Sequence, residues 1–232
     1  MGDSHNRYGT QPATSLADEL TTAIGELRAR WNVLRHPFYE RWSAGGLSRA
    51  ELQAYGREYE HAVVAIATAS RRAAELSDTE LTNELAGHAA EEEAHIELWR
   101  AFTDGIGERE SQPTEGAESR LRQTLALQRI WSGGEDRSLG EHLVTLYAVE
   151  SAQPEISRVK LDGLLDHYGF EDGPATEYFR LHAVRDAEHA ALARSALSEL
   201  ARDGAEQVAL ERHAEAVYRA YWELLDGLEA TG

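Results

Sequence analysis

Apolar residues recur every three or four positions along most of this chain, and no stretch sustains the alternating pattern of a β-strand. Ser48 and Glu51 have the spacing of a capping box, which predicts the start of a long helix. Pro154 interrupts another helical stretch and predicts a kink or a break there. No long linker divides the chain. The sequence therefore predicts one all-α bundle over residues 15–232, preceded by a disordered tail at residues 1–14.

Charge and composition narrow the range of partners and ligands. The 232 residues include 41 acidic and 23 basic side chains, which gives a formal net charge of −18. Nucleic acids and anionic membrane surfaces attract basic proteins, so we expect neither as a partner. No apolar run is long enough to cross a bilayer and the polar start is not a signal peptide, so we expect a cytoplasmic protein. Without cysteine, any metal would be held by histidine and carboxylate ligands, which suit iron, manganese or zinc.

One spacing of polar side chains occurs twice. The pattern His-x3-acid-x2-His is found at His182, Asp186 and His189, and again at His88, Glu92 and His95. Intervals of four and three place all three members on one stripe of a helix. If both stripes point inward, the two helices can present imidazoles and carboxylates to a shared centre, as in di-metal carboxylate bundles. The alternative is a pair of solvated helix faces, which acidic helices often have.

Two further glutamates have apolar surroundings. Glu150 ends the run "LVTLYAVE" and is expected to face inward. Glu60 precedes the apolar run "HAVVAIA" and can join the same cluster if its helix packs alongside. A buried carboxylate is costly unless it is paired or binds a metal, which makes both candidates for the same centre. Glu91 lies beside Glu92 on nearly the same stripe. Among the other histidines, tail, surface or turn positions are expected for His5, His142, His167 and His213. His36 precedes a helix-starting proline, and His61, next to Glu60, is a candidate for orienting a metal ligand.

Lysine occurs only once. The 23 basic residues are 22 arginines and Lys160. Lysine can lose its proton when it is desolvated, whereas arginine cannot, so Lys160 is a candidate for amine chemistry. The alternative is a single lysine that happens to remain on the surface.

Several stretches together resemble a known family. They are "HPFYERWSAGGLSRAELQAYGREYEHAV", "EEEAHIELWRAF", "LYAVESAQPEISRVKLDGLLDHYGF" and "YFRLHAVRDAEHAAL". From about Trp31 to Leu228 the chain resembles the haem-oxygenase-like non-haem di-metal oxidases, and most of all the CADD-type para-aminobenzoate synthases. The resemblance implies a haem-oxygenase-like bundle of seven to eight helices, which also occurs in pyrroloquinoline-quinone synthase and thiaminase II. It further implies two metal ions, either two irons or iron with manganese, and O2 as cosubstrate.

The resemblance also assigns residues. It places metal ligands at His95, Glu150, His182, Asp186 and His189. It implies that the synthase consumes one of its own tyrosines as the ring source and uses a lysine as amino donor, and these positions are Tyr39 and Lys160. His88 stands where the family has its first carboxylate ligand, and Glu60 replaces an aromatic residue. We expect the two changes to compensate each other. Val149 also replaces an aromatic residue, next to the glutamate ligand.

Other functions remain open at this stage. Glu60 with Glu92 and His95 also resembles relatives that cleave fatty or amino acids or oxidise nitrogen. A metal-independent enzyme like pyrroloquinoline-quinone synthase would use His and Asp as general acid and base on a quinone-like substrate. A non-catalytic interaction protein would have kept the bundle and lost the site. Thiaminase II needs a cysteine, which this chain lacks. The reactant would be a small molecule or the protein's own side chains, and the resemblance implies a homodimer.

Overall fold

The chain folds into helices throughout the part that can be described. The computed structural model describes residues 16–78, 80–107, 121–200 and 204–231. Within these ranges there is no β-strand, and a 3-10 turn at Val33–Arg35 joins the first two of eight helices: α1 (Leu16–Arg30), α2 (Pro37–Ser43), α3 (Arg49–Leu76), α4 (Thr82–Gly105), α5 (Arg122–Ser132), α6 (Leu139–His167), α7 (Pro174–Leu200) and α8 (Gly204–Glu229). The predicted all-α architecture is confirmed. The tail predicted for residues 1–14 lies outside the described residues.

Capping boxes begin two of the long helices. The predicted one is present at the start of α3, where Ser48 Oγ accepts from the backbone N–H of Glu51 and the Glu51 carboxylate accepts from the Ser48 N–H. Ser138 and Glu141 form the same reciprocal pair at the start of α6, which the sequence analysis had not singled out. Each box satisfies two backbone donors that the first helical turn leaves without partners.

Pro154 does not end its helix, so of the two predicted outcomes, a kink or a break, the break is wrong. α6 runs through it as a single helix of 29 residues. Proline removes one backbone hydrogen bond and crowds the preceding turn, which costs about 3 kcal/mol in an isolated helix. Here α6 is held along its length by packing, above all against α7. Tertiary packing therefore keeps together a helix that local propensity would interrupt.

A single contiguous hydrophobic core contains residues from all eight helices. Three fully buried tryptophans each connect two helices through the core, because each indole donates its N–H to a backbone carbonyl of another helix. Trp42 donates to the Lys160 carbonyl, which connects α2 to α6, and Trp99 donates to the Gly56 carbonyl, which connects α4 to α3. Trp131 donates to Val217 and connects α5 to α8. In the centre, α3, α4, α6 and α7 pack against one another.

Two of the histidines expected on the surface are buried instead. His142 and His213 are 2% and 7% exposed, because α8 covers the first turns of α6. His167 is exposed, as predicted. No helix in the described ranges combines the length and apolar character needed to span a bilayer.

Candidate metal centre

Three helices place polar side chains in the middle of the bundle. These side chains come from α4, α6 and α7, all are at most 6% exposed, and they are seven of the eight predicted ligands: His88, Glu92, His95, Glu150, His182, Asp186 and His189. Intervals of three and four put the members from one helix on a single stripe, and contact between α4 and α7 brings the two stripes face to face.

Within this set the ligand atoms form two groups that share one carboxylate. His88, Glu92, Glu150 and His189 offer ligand atoms that all lie within 4.8 Å of one another. Glu92 also belongs to a second such group, with His95 and His182. One Glu92 oxygen lies 3.1 Å from His95 Nδ1, 3.6 Å from His88 Nε2 and 3.5 Å from His189 Nδ1. A carboxylate in this position can bridge two cations.

Many of these buried atoms have no hydrogen-bond partner among the described residues. Both oxygens of Glu150 and of Asp186 are in this state, as are single nitrogens of His88, His95 and His189. His88 Nε2 does lie 3.0 Å from a Glu150 oxygen, but the pair lacks the alignment of a hydrogen bond. Unpaired buried carboxylates are expensive, and cations are the ligands that would satisfy them. Four imidazoles and three carboxylates therefore fit a pair of divalent ions.

Glu60 is the one predicted ligand that the structure keeps outside the cluster. Its carboxylate is about a third exposed and accepts from Arg100 Nε at 3.2 Å. The expectation that Glu60 compensates for His88 is therefore wrong. Glu60 is one position after Tyr59, and a step of one residue along a helix turns the side chain by about 100°. The Tyr59 side chain is buried in the core, whereas the Glu60 side chain lies at the surface, where it meets Arg100 of α4.

The charges of the cluster are strongly coupled. Burial alone would lower the pKa of His88, but the carboxylates of Glu150 and Glu92 outweigh it and raise that pKa to about 10. Burial alone would raise the pKa of Glu92, yet its contacts with His189, His88 and His95 bring it well below its usual range. Without metal, the protonated imidazole of His88 therefore supplies part of the positive charge that two cations would bring.

The pKa values of the other two carboxyls in the cluster are raised, in contrast to that of Glu92. Burial raises the pKa of Asp186 well above its usual range, and the charges of Glu92 and Glu150 raise it further. Burial also raises the pKa of Glu150, against the opposing charge of His88. Three carboxyls in one dry chamber cannot all ionise without a compensating cation.

Neighbouring groups orient two of the imidazoles. His182 Nδ1 donates to the Tyr178 carbonyl at 2.7 Å, which leaves the other ring nitrogen with its lone pair available. His189 Nε2 lies 3.2 Å from a Glu91 oxygen, and Arg185 donates to the same carboxylate. Such outer contacts fix the tautomer and the ring direction of a ligating histidine. Glu91 therefore positions a ligand and is not one of the clustered groups.

A small cavity of about 20 Å³ adjoins the cluster. Glu92, Glu150, His182 and Asp186 form its polar side, whereas Ala62, Val63 and Ile66 of α3 form part of its apolar side. Sequence reasoning missed Gln153, which lines the same cavity and donates to the Tyr59 hydroxyl at 3.3 Å. The missed signal was spacing, because Glu150, Gln153, Ser157 and Lys160 follow one another at intervals of three, four and three, and all are buried.

Lys160 is fully buried among aromatic rings. Its Nζ lies 4.3 Å from the ring centroid of Tyr59, 5.4 Å from that of Tyr55 and 5.6 Å from that of Tyr39. The amine has no hydrogen-bond partner among the described residues. Burial lowers the pKa of Lys160 well below its usual range, and the charge of Asp186 opposes this only in part. An amine in this environment loses its proton readily.

Tyr39 lies in a cluster of phenols next to this lysine. Its hydroxyl is 2.9 Å from the Tyr55 hydroxyl and 2.5 Å from the Tyr221 hydroxyl. Tyr55 stacks on Tyr59, whose side chain lines the cavity beside the metal ligands. Burial raises the pKa of Tyr39 well above its usual range, so the phenol stays protonated. Two aromatic rings therefore lie between Tyr39 and the cavity.

Comparison with known sequences gives consistent results. Residues 55–222 match a family described as iron-containing redox enzymes. A 4-aminobenzoate synthase of Chlamydia muridarum is 30% identical over 197 residues, which are 82% of each chain. A pyrroloquinoline-quinone synthase of Cereibacter sphaeroides is 28% identical over 186 residues, which are 75% of this chain and 72% of the relative.

Solved structures share the fold at lower sequence identity. A TenA homologue of Pseudomonas syringae superposes with a TM-score of 0.77 at 18% identity, over 98% of this chain and all of the other. A Shewanella denitrificans domain described as having a haem-oxygenase-like fold gives a TM-score of 0.69 at 20% identity, over 91% and 92% of the two chains. These likenesses confirm the predicted haem-oxygenase-like fold.

Proposed function

Because the chain belongs to the family of iron-containing redox enzymes, we propose that it is a metal-dependent oxidase that forms 4-aminobenzoate from its own Tyr39 and Lys160. The observation that carries the proposal is the burial of the only lysine against the Tyr39 ring, with its Nζ 5.6 Å from the ring centroid. The proposed location is the cytoplasm and the proposed assembly a homodimer.

The metal ligands would come from the two groups that share Glu92. One ion would be held by His88, Glu150 and His189 and the other by His95 and His182, with Glu92 common to both. Asp186 is the remaining carboxylate of the cluster, and one of its oxygens lies 3.9 Å from His189 Nδ1. Two irons, or iron with manganese, would supply the electrons and the site for activating O2.

The chain's own residues would keep the reactants in position and in the right protonation state. Burial holds the Lys160 amine in its neutral, nucleophilic form and holds Tyr39 as a neutral phenol. Tyr55 and Tyr221 fix the Tyr39 hydroxyl from two sides. The surrounding aromatic rings exclude water, which would otherwise compete for oxidising equivalents and protonate the amine.

Isotope labelling tests the proposal directly, because one lysine makes the label unique. Protein grown with lysine labelled with ¹⁵N at the ε-nitrogen is loaded anaerobically with ferrous iron, with or without manganese, and then exposed to O2 and a reductant. We expect 4-aminobenzoate that carries the label, at no more than one molecule per chain, and a mass loss that peptide mapping places at Tyr39. Unlabelled product, or turnover of an added small molecule with unchanged protein mass, would contradict the proposal.

Variants separate the chemistry from the fold. Tyr39→Phe and Lys160→Met are expected to make no product, whereas the control Tyr147→Phe, which removes a phenol from outside the cluster, should behave like wild type. His95→Ala is expected to lower the bound iron measured by elemental analysis, and the exposed control His167→Ala should not. Full product formation by protein free of iron and manganese would favour a metal-independent enzyme of the pyrroloquinoline-quinone synthase kind.

A further inference from the structure

His36 is a buried histidine that the proposed reaction does not use. It is 1% exposed and lies at the start of α2, one turn before Tyr39. Its ring caps the helix, because Nδ1 accepts from the Phe38 N–H at 3.1 Å. Its backbone carbonyl accepts from the Tyr39 N–H at 2.9 Å. The ring and the backbone of His36 therefore both bind the first turn of the helix that carries Tyr39.

The other ring nitrogen of His36 connects this turn to α8. Since Nδ1 is an acceptor, the neutral ring carries its proton on Nε2, which donates to Asp226 Oδ1 at 3.2 Å. The Trp222 indole packs edge-on against the same ring, with 4.7 Å between the ring centroids. Trp222 and Asp226 are four residues apart and therefore lie on one stripe of α8. Two side chains one turn apart on α8 thus fix the direction of the His36 ring.

The far end of the Tyr39 side chain also contacts α8. Tyr221 precedes Trp222 in the chain, and its hydroxyl lies 2.5 Å from the Tyr39 hydroxyl. α2 is thus held against α8 at the His36 ring and, one turn later, at the Tyr39 phenol. With both contacts in place Tyr39 is fully buried, and its ring centroid lies 5.6 Å from Lys160 Nζ.

α2 is too short to keep this position by itself. It has seven residues, and helices shorter than about 12–15 residues are marginal in water without packing. In its C-terminal half, Arg41 pairs with Glu229 of α8. Trp42 beside it donates to the Lys160 carbonyl of α6. At its N-terminal end the corresponding connection to α8 is the His36 ring, which therefore decides the direction in which the first turn points.

From these contacts we infer that His36 and Asp226 are positioning residues for Tyr39. The hydrogen bond between them sets the rotation of α2 against α8, and this rotation decides how close the Tyr39 ring lies to the Lys160 amine. The assignment rests on the proposed function and adds to it two residues outside the ligand cluster. A displacement of about 1 Å in a reacting group can cost roughly 100-fold in rate, so the connection has a measurable effect.

Asp226 gives the sharpest test because its side chain is 58% exposed, and an exposed pair of this kind contributes little to stability. In single turnovers of the metal-loaded protein, we expect Asp226→Ala to form 4-aminobenzoate roughly tenfold more slowly than wild type. Asp226→Asn keeps an oxygen acceptor for Nε2 and should restore most of the rate. The matched control Glu223→Ala, which is also exposed on α8, should react like wild type. Circular dichroism checks that each variant is folded.

A second measurement follows Tyr39 in the metal-free protein, without turnover. In ¹⁹F NMR of protein labelled with 3-fluorotyrosine, the signal that disappears in Tyr39→Phe is that of Tyr39. We expect this signal to shift or broaden in Asp226→Ala and to stay in place in Glu223→Ala. His36→Asn keeps a cap acceptor for the Phe38 N–H but has no atom in the place of Nε2, so it should resemble Asp226→Ala. A wild-type signal in both Asp226→Ala and His36→Asn would mean that His36 only caps the helix, and would overturn the inference.

The positioning role and the proposed function can fail separately. If wild type makes no 4-aminobenzoate, the synthase proposal is lost, whereas a moved Tyr39 signal in Asp226→Ala would still show that Asp226 positions this phenol. If wild type and Asp226→Ala make 4-aminobenzoate at the same rate, the synthase stays and the positioning role is lost, whatever the fluorine spectrum shows.

Discussion

Glu91 and Glu92 are neighbours in the chain but have different surroundings. Glu92 is buried, with three imidazole nitrogens within 3.6 Å of one oxygen. Glu91 is partly exposed at the edge of the α4–α7 contact, where it accepts from Arg185 and from His189. A rotation of about 100° between consecutive helical residues separates the two roles. The inner carboxylate can bind cations, and the outer one can hold a ligating imidazole in place.

Glu91→Gln should therefore weaken metal binding without removing a ligand. The amide keeps the shape but lacks the charge that favours the His189 N–H and the Arg185 guanidinium. We expect roughly a tenfold loss of iron affinity, measured by anaerobic titration of the metal-free protein. The matched control is Glu93→Gln, an exposed neighbour on α4. Equal affinities for the two variants would show that Glu91 does not position His189.

At the scale of elements, α6 carries a continuous inward stripe. The stripe runs from the metal ligands to the phenol cluster over ten residue steps, or about 15 Å of helix, and consists of Glu150, Gln153, Ser157 and Lys160. The same helix approaches α2 at Gly163. A Cβ at this glycine would lie 2.6 Å from atoms of the Trp42 indole, closer than real Cβ contacts. The glycine of the "KLDGL" stretch therefore provides the room in which Trp42 reaches the Lys160 carbonyl.

Gly163→Ala should destabilise the protein although alanine is the better helix former. Trp42 is fully buried against Tyr55 and cannot move freely, so the added methyl should lower the free energy of unfolding by about 1–3 kcal/mol. In the control Gly25→Ala on α1, the new Cβ meets nothing within 4 Å, and a gain of up to about 1 kcal/mol is expected. Urea unfolding measures both. Stabilisation by Gly163→Ala would show that Trp42 has room to shift.

At the scale of the whole molecule, the junction of α6 and α8 contains a buried histidine. Arg137 donates to His213 Nδ1 at 2.5 Å, so the other ring nitrogen carries the proton and lies 2.7 Å from Thr145 Oγ1. The bond from Arg137 requires a neutral ring, because a protonated Nδ1 could not accept it. Burial, and then the charge of Arg137, lower the pKa of His213 to about 4.

This arrangement predicts a loss of stability in acid. The unfolded chain takes up a proton at His213 near pH 6.5, whereas the folded protein does so only near pH 4. Above pH 7 both states are neutral at this position. As the pH falls from 6.5 towards 4, protonation favours the unfolded state, by about 2 kcal/mol at pH 5. In His213→Gln, this part of the decline in the free energy of unfolding between pH 7.5 and 5 should be absent. Urea unfolding measures it, and the exposed control His167→Gln should show the same decline as wild type.

Much of the candidate centre could be predicted because its members lie on three helices. Each motif is local, and spacing alone places His88, Glu92 and His95 on a common stripe. Glu60 was misplaced because an apolar stretch after a residue does not show which side of the helix that residue takes. The burial of His142 and His213 was missed for a related reason, since it depends on the packing of α6 against α8, two helices that are distant in the sequence.

By itself the sequence determined the helices, the kinds of ligand available and which side chains share a stripe, because helical periodicity depends only on near neighbours. Only the tertiary structure decided that the α4 and α7 stripes meet, that Glu92 belongs to both ligand groups, and that Lys160 lies among tyrosines from α2 and α3. Contacts of this kind join residues far apart in the chain, as for Tyr39 and Tyr221, which are 182 positions apart. They depend on how whole helices pack, which no local pattern encodes.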